Sequence, residues 1–534
     1  MSEASTPLTL AALIRDAARE YPRQEAVIAA DGRFTYADID AASDEVAKAL
    51  AAAGITKGDH VGICAGNTGV WVSLFYGIAK AGAVSVPINT RLKPVEIQYQ
   101  LRQAQVKLLF LADRLLNIDF LDLFGEVANG FQNSFPQDDL PFLRQVVLLG
   151  EGIHRHCTSY SDFIQHGSET ALPAEPAPRD PALIQYTSGT TSLPKGALLA
   201  HESMVRNARA VASRMGLERH HRYLSARPFF HVAGTTLSIA ASATVGATLV
   251  TMTRFVADDA LNLMEQETCS HFSGNDTMFL MLLERPDASA KSSLSGGWAA
   301  ASPAVIEQAV ARLGTKDLVV AYGLSEASPN VAVSDRNDPL DDRIAGWMHP
   351  HEGLEVRIAN PETGEELPRG QRGEIRVRGW SVMLGYFDKP AETAEAIGAD
   401  GFLRTGDMGV MRDDGRIRFL GRIKEIIRVG GENVSPGEIE DVLVTHPAVA
   451  QAQVVGFPDA RLMEVPVAYV TLKDGHALSA GELLDWAKPQ LAGYKMPRHV
   501  AIVETFDNLG LTASGKVQKN KLKENALIRF AAEV

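Results

Sequence analysis

Tyr186-Thr187-Ser188-Gly189-Thr190-Thr191-Ser192-Leu193-Pro194-Lys195-Gly196 decides how this chain is read. An apolar run at 182–185 precedes it and another at 197–199 follows, so a turn rich in glycine and hydroxyls joins two expected strands. Such a turn can aim backbone N–H groups and hydroxyls at a polyphosphate, with Lys195 as a mobile positive charge. No G-x-x-x-x-G-K-[ST] pattern occurs, so this is not a Walker loop, and Ser188 lacks the G-x-S-x-G flanks of a nucleophile elbow. A plain hairpin linker is the structural alternative. The unbroken Gly/Ser/Thr run, closed by Pro-Lys-Gly, favours a phosphate site.

On the N-terminal side, helical and strand patterns alternate. A helix is expected over 36–53, with Ile39, Ala42, Val46 and Leu50 on one face, then a strand at 60–64, a helix at 71–81 stopped by Gly82, and a strand at 83–87. This alternation predicts an α/β fold with largely parallel sheets. Residues 117–141 are polar and poorly periodic and read as loop. Gly364, Pro368, Gly370 and Gly373 punctuate short strands over 361–379, a β-rich subdomain. From Gly421 on the pattern is compact α+β: helices at 436–445 and 479–491, strands at 450–456 and 466–472. We therefore expect a large N-terminal domain, 1–421, and a small C-terminal domain on a hinge, 422–534.

The length of 534 residues is too great for one core. The formal charge of −13 disfavours nucleic acid or an anionic membrane as partner and makes clustered cations informative. The apolar stretch at 8–14 is too short for a secretory signal, and the run at 235–252 holds enough Ser, Thr and Gly to predict a buried helix and strand rather than a membrane span. Cys64, Cys157 and Cys269 are widely spaced and odd in number, which fits neither a disulfide framework nor a zinc site and suits the cytoplasm.

Further motifs follow in order: Ala321-Tyr322-Gly323-Leu324-Ser325-Glu326, Arg404-Thr405-Gly406-Asp407, Gly421-Arg422-Ile423-Lys424-Glu425, Arg428-Val429-Gly430-Gly431-Glu432, and Thr512-Ala513-Ser514-Gly515-Lys516. Each alone is a strand end, a turn or a solvated charge. In this order, with the phosphate turn, they resemble the adenylate-forming superfamily of acyl-CoA synthetases, firefly-type luciferases and peptide-synthetase adenylation domains. The resemblance runs from Thr35-Tyr36 to Lys516.

The resemblance implies an ATP-dependent carboxylic acid–coenzyme A ligase that forms an acyl-adenylate. It assigns catalysis to Lys516, Glu326, Thr187 and His231, with Mg²⁺ on Glu326. Nucleotide contacts fall to Thr187, Ser188, Gly189, Thr190, Thr191, Lys195, Ala321, Tyr322, Gly323, Ser325, Asp407, Arg422, Arg428 and Lys516. Lys424 becomes the hinge, and Arg254, Gly430 and Gly431 flank the coenzyme A path. His231, Val232, Trp298, Ala299, Ala300 and Gly323 line the acyl pocket. That pocket offers no acid to pair with an amino group, and Trp298 stands where glycine is usual. An aryl, alicyclic or medium-chain acid is expected. Ser192 replaces a glycine, Ser325 a threonine, and Asn275-Asp276 the usual Val-Pro. Two rivals stand beside this reading: a ligase loading a carrier protein, and an acyl-nucleotide sensor without turnover. Relatives are commonly dimers, so a homodimer is an expectation as well.

Overall fold

The computed structural model describes residues 8–127, 135–152, 154–187, 193–430, 432–510 and 517–530. The strands of two large sheets fall between Glu25 and Tyr386. The nine-stranded sheet runs in the order His349–Pro350, Asn330–Val333, Asp317–Gly323, Gly296–Ala300, His271–Asn275, Arg222–Ser225, Thr248–Thr251, Glu25–Ala29, Gly32–Thr35. Its inner strands are parallel and its edges antiparallel. The eight-stranded sheet is centred on Val84–Pro87 and His60–Cys64, with Pro181–Thr187, Lys195–Ala200 and Gly385–Tyr386 at one side. A parallel sheet must be covered on both faces. Accordingly Tyr36–Ala52 and Gly69–Lys80 turn apolar residues such as Ile39, Val46, Leu74 and Phe75 wholly inward.

Local chemistry sets the boundaries. Thr35 Oγ1 accepts from the Asp38 N–H at 3.2 Å and Asp38 accepts from the Thr35 N–H at 2.8 Å, a reciprocal cap that starts the Tyr36–Ala52 helix. The expectation of loop over 117–141 fails in part: Phe120–Val127 is helical. Phe120, Phe124 and Val127 are buried at one-turn spacing, and Asp119 Oδ1 receives the Leu121 and Asp122 N–H groups. Five of the eight residues, Phe120, Leu121, Leu123, Phe124 and Val127, are apolar, and such a stripe suffices for a helix once a neighbour covers it.

A four-stranded antiparallel sheet follows, Leu354–Ala359, Arg372–Gly379, Leu403–Met411 and Ile417–Arg422. One hydrophobic core joins residues from Leu10 to Ile417. Beyond it, two separate small cores form around Val454 and Tyr469 in a sheet made of Ile427–Val429, Glu432–Val434, Val449–Asp459, Met463–Leu472 and His499–Ile502. The architecture is thus the mixed α/β expected, with largely parallel sheets and a β-rich tail unit. Among the described residues, no helix is long and apolar enough to cross a membrane.

Gly297 has φ +131°, and a Cβ there would stand 1.8 Å from the Phe272 carbonyl oxygen on the adjacent strand. Gly297→Ala is expected to cost about 3 kcal/mol or more in a urea unfolding titration; a loss below 1 kcal/mol would contradict the packing described. Burial also holds the imidazoles of His201 and His271 at about 4, and that of His351 at about 3. The unfolded chain takes up protons near pH 6.5 that the folded chain refuses, so stability falls as pH drops from 6.5 towards 4. Each histidine contributes up to roughly 3 kcal/mol at the low end. His201→Gln or His351→Gln should flatten the fall of the unfolding midpoint in that window.

Candidate active site

Ligands of open parallel sheets bind beyond the carboxyl ends of the strands, and the expected residues gather there. The Pro181–Thr187 strand leads into the phosphate turn, whose Ser188, Gly189, Thr190, Thr191 and Ser192 lie outside the described residues. Across the hairpin, Thr187 pairs with Lys195, and Thr187 Oγ1 donates to the Lys195 carbonyl at 3.4 Å. Lys195 Nζ lies 5.1 Å above the ring of Tyr386, on the edge strand Gly385–Tyr386 that pairs with Lys195–Ala200. The Tyr386 hydroxyl donates to Glu326 Oε1 at 2.8 Å. Burial, reinforced by the Glu326 charge, pushes the Tyr386 hydroxyl well up, so it stays a donor. Sequence reading missed Tyr386. Its signal was a lone Gly-Tyr after the β-rich segment, which names no partner until the strand is paired.

A second group forms where the four-stranded sheet meets the nine-stranded one. Asp407 is 1% exposed. Its Oδ2 accepts from the Tyr322 hydroxyl at 2.8 Å, and its Oδ1 is ion-paired with Arg422 Nε at 2.9 Å. Asp407 and Arg422 are register partners on adjacent strands, which fixes the pair. The Tyr322 ring stacks on Phe419 with centroids 5.4 Å apart and planes at 19°. Gly323 is open to solvent, and a Cβ there would meet the Pro329 carbonyl at 2.2 Å. Ala321 is half-buried beside Tyr322, and Ser325 opens the tight turn Ser325–Ala327 that carries Glu326.

The third group surrounds Trp298. Its Nε1 donates to the Tyr223 hydroxyl at 2.9 Å, which itself donates to the Leu237 carbonyl. Ser225, Ser238 and Ser273 join by hydroxyl contacts of 2.8 and 3.1 Å. Trp298 shares a register row with Ser273 and Ser225, and these small neighbours leave the space across the sheet that an indole fills. The Arg227 guanidinium lies 4.9 Å from the Trp298 ring centre. His231 is solvent-accessible although deep in the protein mass, as a cavity wall requires, and burial followed by the Arg227 charge holds it at about 4. It is therefore neutral, and its Nδ1 accepts from the Ala233 N–H at 3.2 Å, which leaves the proton on Nε2. Ala300 is exposed, whereas Val232 and Ala299 are packed in the core. Asn275-Asp276 has a local explanation: Asn275 Oδ1 caps the Asp276–Leu283 helix through the Met278 N–H, and Asp276 Oδ1 accepts from the Ser302 N–H at 2.8 Å.

The remaining residues are scattered by comparison. Arg254, Lys424, Arg428 and Gly430 are exposed; the Arg428 N–H donates to Glu464, and Gly430 has φ +57°. Gly431 and Lys516 lie outside the described residues. The tail unit is joined to the large one by Ser435 Oγ donating to the Leu420 carbonyl and by Arg372 with Glu438 at 3.4 Å. Glu326 fits a magnesium ion: one oxygen is held by Tyr386, and a single carboxylate is what Mg²⁺ takes when phosphate oxygens complete its shell.

The AMP-binding enzyme family matches residues 14–387, and the AMP-binding enzyme C-terminal domain matches 438–516. The Bacillus subtilis (strain 168) protein YngI is 37% identical over 98% of this chain and 98% of its own. Medium-chain acyl-CoA ligase ACSF2, mitochondrial, of Homo sapiens is 32% identical over 97% of this chain and 87% of its own. The crystal structure of the anthranilate CoA ligase AuaEII with anthranoyl-AMP superposes with a TM-score of 0.88 at 27% identity, covering 100% of both chains. The chain belongs to the AMP-binding enzyme family and is an AMP-forming acid–CoA ligase.

Proposed function

We propose that this ligase activates a compact carboxylic acid by a two-step route in which Tyr322, Asp407 and Arg422 hold the nucleotide and Lys516 drives adenylation. The observation that carries the reading is Asp407: a fully buried carboxylate engaging both an aromatic hydroxyl and Arg422, the first residue of the tail unit. In the first step a substrate carboxylate oxygen attacks the α-phosphorus of ATP, and the bond to pyrophosphate breaks. The second step brings the coenzyme A sulfur to the carbonyl carbon; the bond to AMP breaks and the thiol proton is lost. Both partners of the first step are anions, so charge shielding and alignment are the enzyme's work. Thr187, Lys195 and the turn between them suit the phosphates, and Glu326 would hold Mg²⁺, which supplies charge neutralisation.

Residues 1–421 act as the nucleotide and acyl body, and 422–534 as a unit turning about Lys424. Rotation withdraws Lys516 and brings Gly430 and Gly431 beside a pantetheine path. The Trp298 indole limits the depth of the acyl pocket and gives it a flat wall, which suits an aryl, alicyclic or medium-chain acid. Three unpaired cysteines agree with a reducing cytoplasm.

Carboxylate-dependent pyrophosphate release over an acid panel tests the reading. Lys516→Ala should lower adenylation by about 10²- to 10³-fold while thiolation of supplied acyl-AMP continues; an equal fall in both half-reactions would remove the role given to Lys516. Tyr386→Phe, which deletes one hydrogen bond to the charged Glu326, should reduce kcat/KM for magnesium–ATP by roughly 10- to 100-fold. Unchanged magnesium dependence would separate Tyr386 from the metal site.

A further inference from the structure

Gln103 has no task in the scheme above, yet it touches both limbs of the nucleotide site. It is the last residue of the helix Pro94–Gln103 and is half-buried. Its Oε1 accepts from the Tyr186 hydroxyl, and its Nε2 donates to the Phe387 carbonyl at 2.9 Å. Tyr186 stands one residue before Thr187, on the strand that enters the phosphate turn. Phe387 stands one residue after Tyr386, whose hydroxyl holds Glu326. Gly196 lies between these partners: it is in register with Tyr186, and its carbonyl accepts from the Phe387 N–H at 2.8 Å. The same helix also reaches the far side of the turn. Tyr99, one helical turn before Gln103, donates its hydroxyl to the Pro194 carbonyl at 3.0 Å. Both flanks of the phosphate turn are therefore tied to one rigid element.

A carboxamide suits both contacts. A backbone carbonyl only accepts, so the Phe387 oxygen must face the amide nitrogen, which leaves the amide oxygen for Tyr186. Burial holds the Tyr186 hydroxyl protonated, so it remains the donor that this oxygen needs. A carboxylate at 103 would set oxygen against oxygen at Phe387, and an ammonium could not accept from Tyr186. The Phe387 ring is held as well, met edge-on by His60 with centroids 4.6 Å apart. Glu326 depends on this limb twice. Its side chain accepts from the Tyr386 hydroxyl at 2.8 Å, and its backbone carbonyl accepts from the Met383 N–H at 2.8 Å. A shift of the Gly385–Tyr386 strand must break the Gln103 bond or carry Tyr186 with it.

We infer that Gln103 is a positioning residue: by bridging Tyr186 and Phe387 it fixes the spacing between the phosphate turn and the Tyr386–Glu326 limb, so that metal and phosphates meet in register. This role rests on the reading of Glu326 as the magnesium carboxylate. Gln103→Met keeps the side-chain length and deletes both bonds. ATP binding to the full chain is measured by calorimetry with and without magnesium, and the ratio of the two affinities is the readout. The ratio is taken on one protein at a time, so a partly folded variant does not distort it. Gln103→Met should lower it by about 3- to 10-fold, less than the 10- to 100-fold typical of a group bonded to the metal ligand itself. Tyr386→Phe should lower it too, and the double variant should fall short of the product of the single effects by at least about threefold. A purely structural glutamine would lower the urea midpoint and leave the ratio alone. A ratio untouched by Gln103→Met but lowered by Tyr386→Phe, or effects that multiply in full, would overturn the inference and leave the magnesium reading standing. A ratio untouched by both variants, or no gain from magnesium in the wild type, would overturn the magnesium reading and this inference with it.

Discussion

A carboxylate buried as completely as Asp407 is tolerable only when both oxygens are engaged. Tyr322 supplies one partner from the nine-stranded sheet, and Arg422 the other from the last residue of the four-stranded one. The requirement thereby locks two sheets together at the strand ends where ligands enter. It also places the first residue of the tail unit against the pocket. Any reorientation of the tail must keep Arg422 beside Asp407 or leave a buried charge exposed to its full desolvation penalty. For the proposed rotation the ion pair is thus a fixed point, and the short helical turn Ile423–Glu425 follows it.

Much of this was legible beforehand because the informative signals are local. The reciprocal Thr35–Asp38 cap and the inward stripe of Ile39, Val46 and Leu50 define one helix from its own residues. The order of the glycine-rich and acidic motifs raised the expectation of a nucleotide site, and one of them, at 321–326, lies at the end of the strand Asp317–Gly323. What escaped was what depends on pairing across the sheets. Tyr386 reaches Glu326 only because an edge strand of two residues adds to Lys195–Ala200. Phe120–Val127 is a helix whose stripe becomes decisive only when a neighbour buries it.

Trp298 shows the same limit from another side. Its departure from glycine was visible, and its consequence was not. The side chain crosses Ser273 to reach Tyr223 two strands away, which needs serines at both positions of that row. A larger residue at 273 would force the indole upward into the cavity. Trp298 is therefore accommodated together with the hydroxyl network of Ser225, Ser238 and Ser273. Asn275-Asp276 is likewise intelligible as a helix start once the preceding strand is fixed.

The charge placement of the site follows one physical rule. Several arginines around the nine-stranded sheet pair with carboxylates, as Arg222 does with Glu25 and Glu267. Lys195 and Arg227 instead lie on aromatic faces, Tyr386 and Trp298, and neither forms an ion pair among the described residues. A ring holds a cation by its quadrupole without neutralising it. The positive field is then left for an incoming anion, whereas a carboxylate partner would cancel it. In a chain of net charge −13 whose substrates are themselves anionic, that device leaves two positive charges uncancelled. Replacing either ring by a carboxylate would hold the cation more firmly and serve the reaction less.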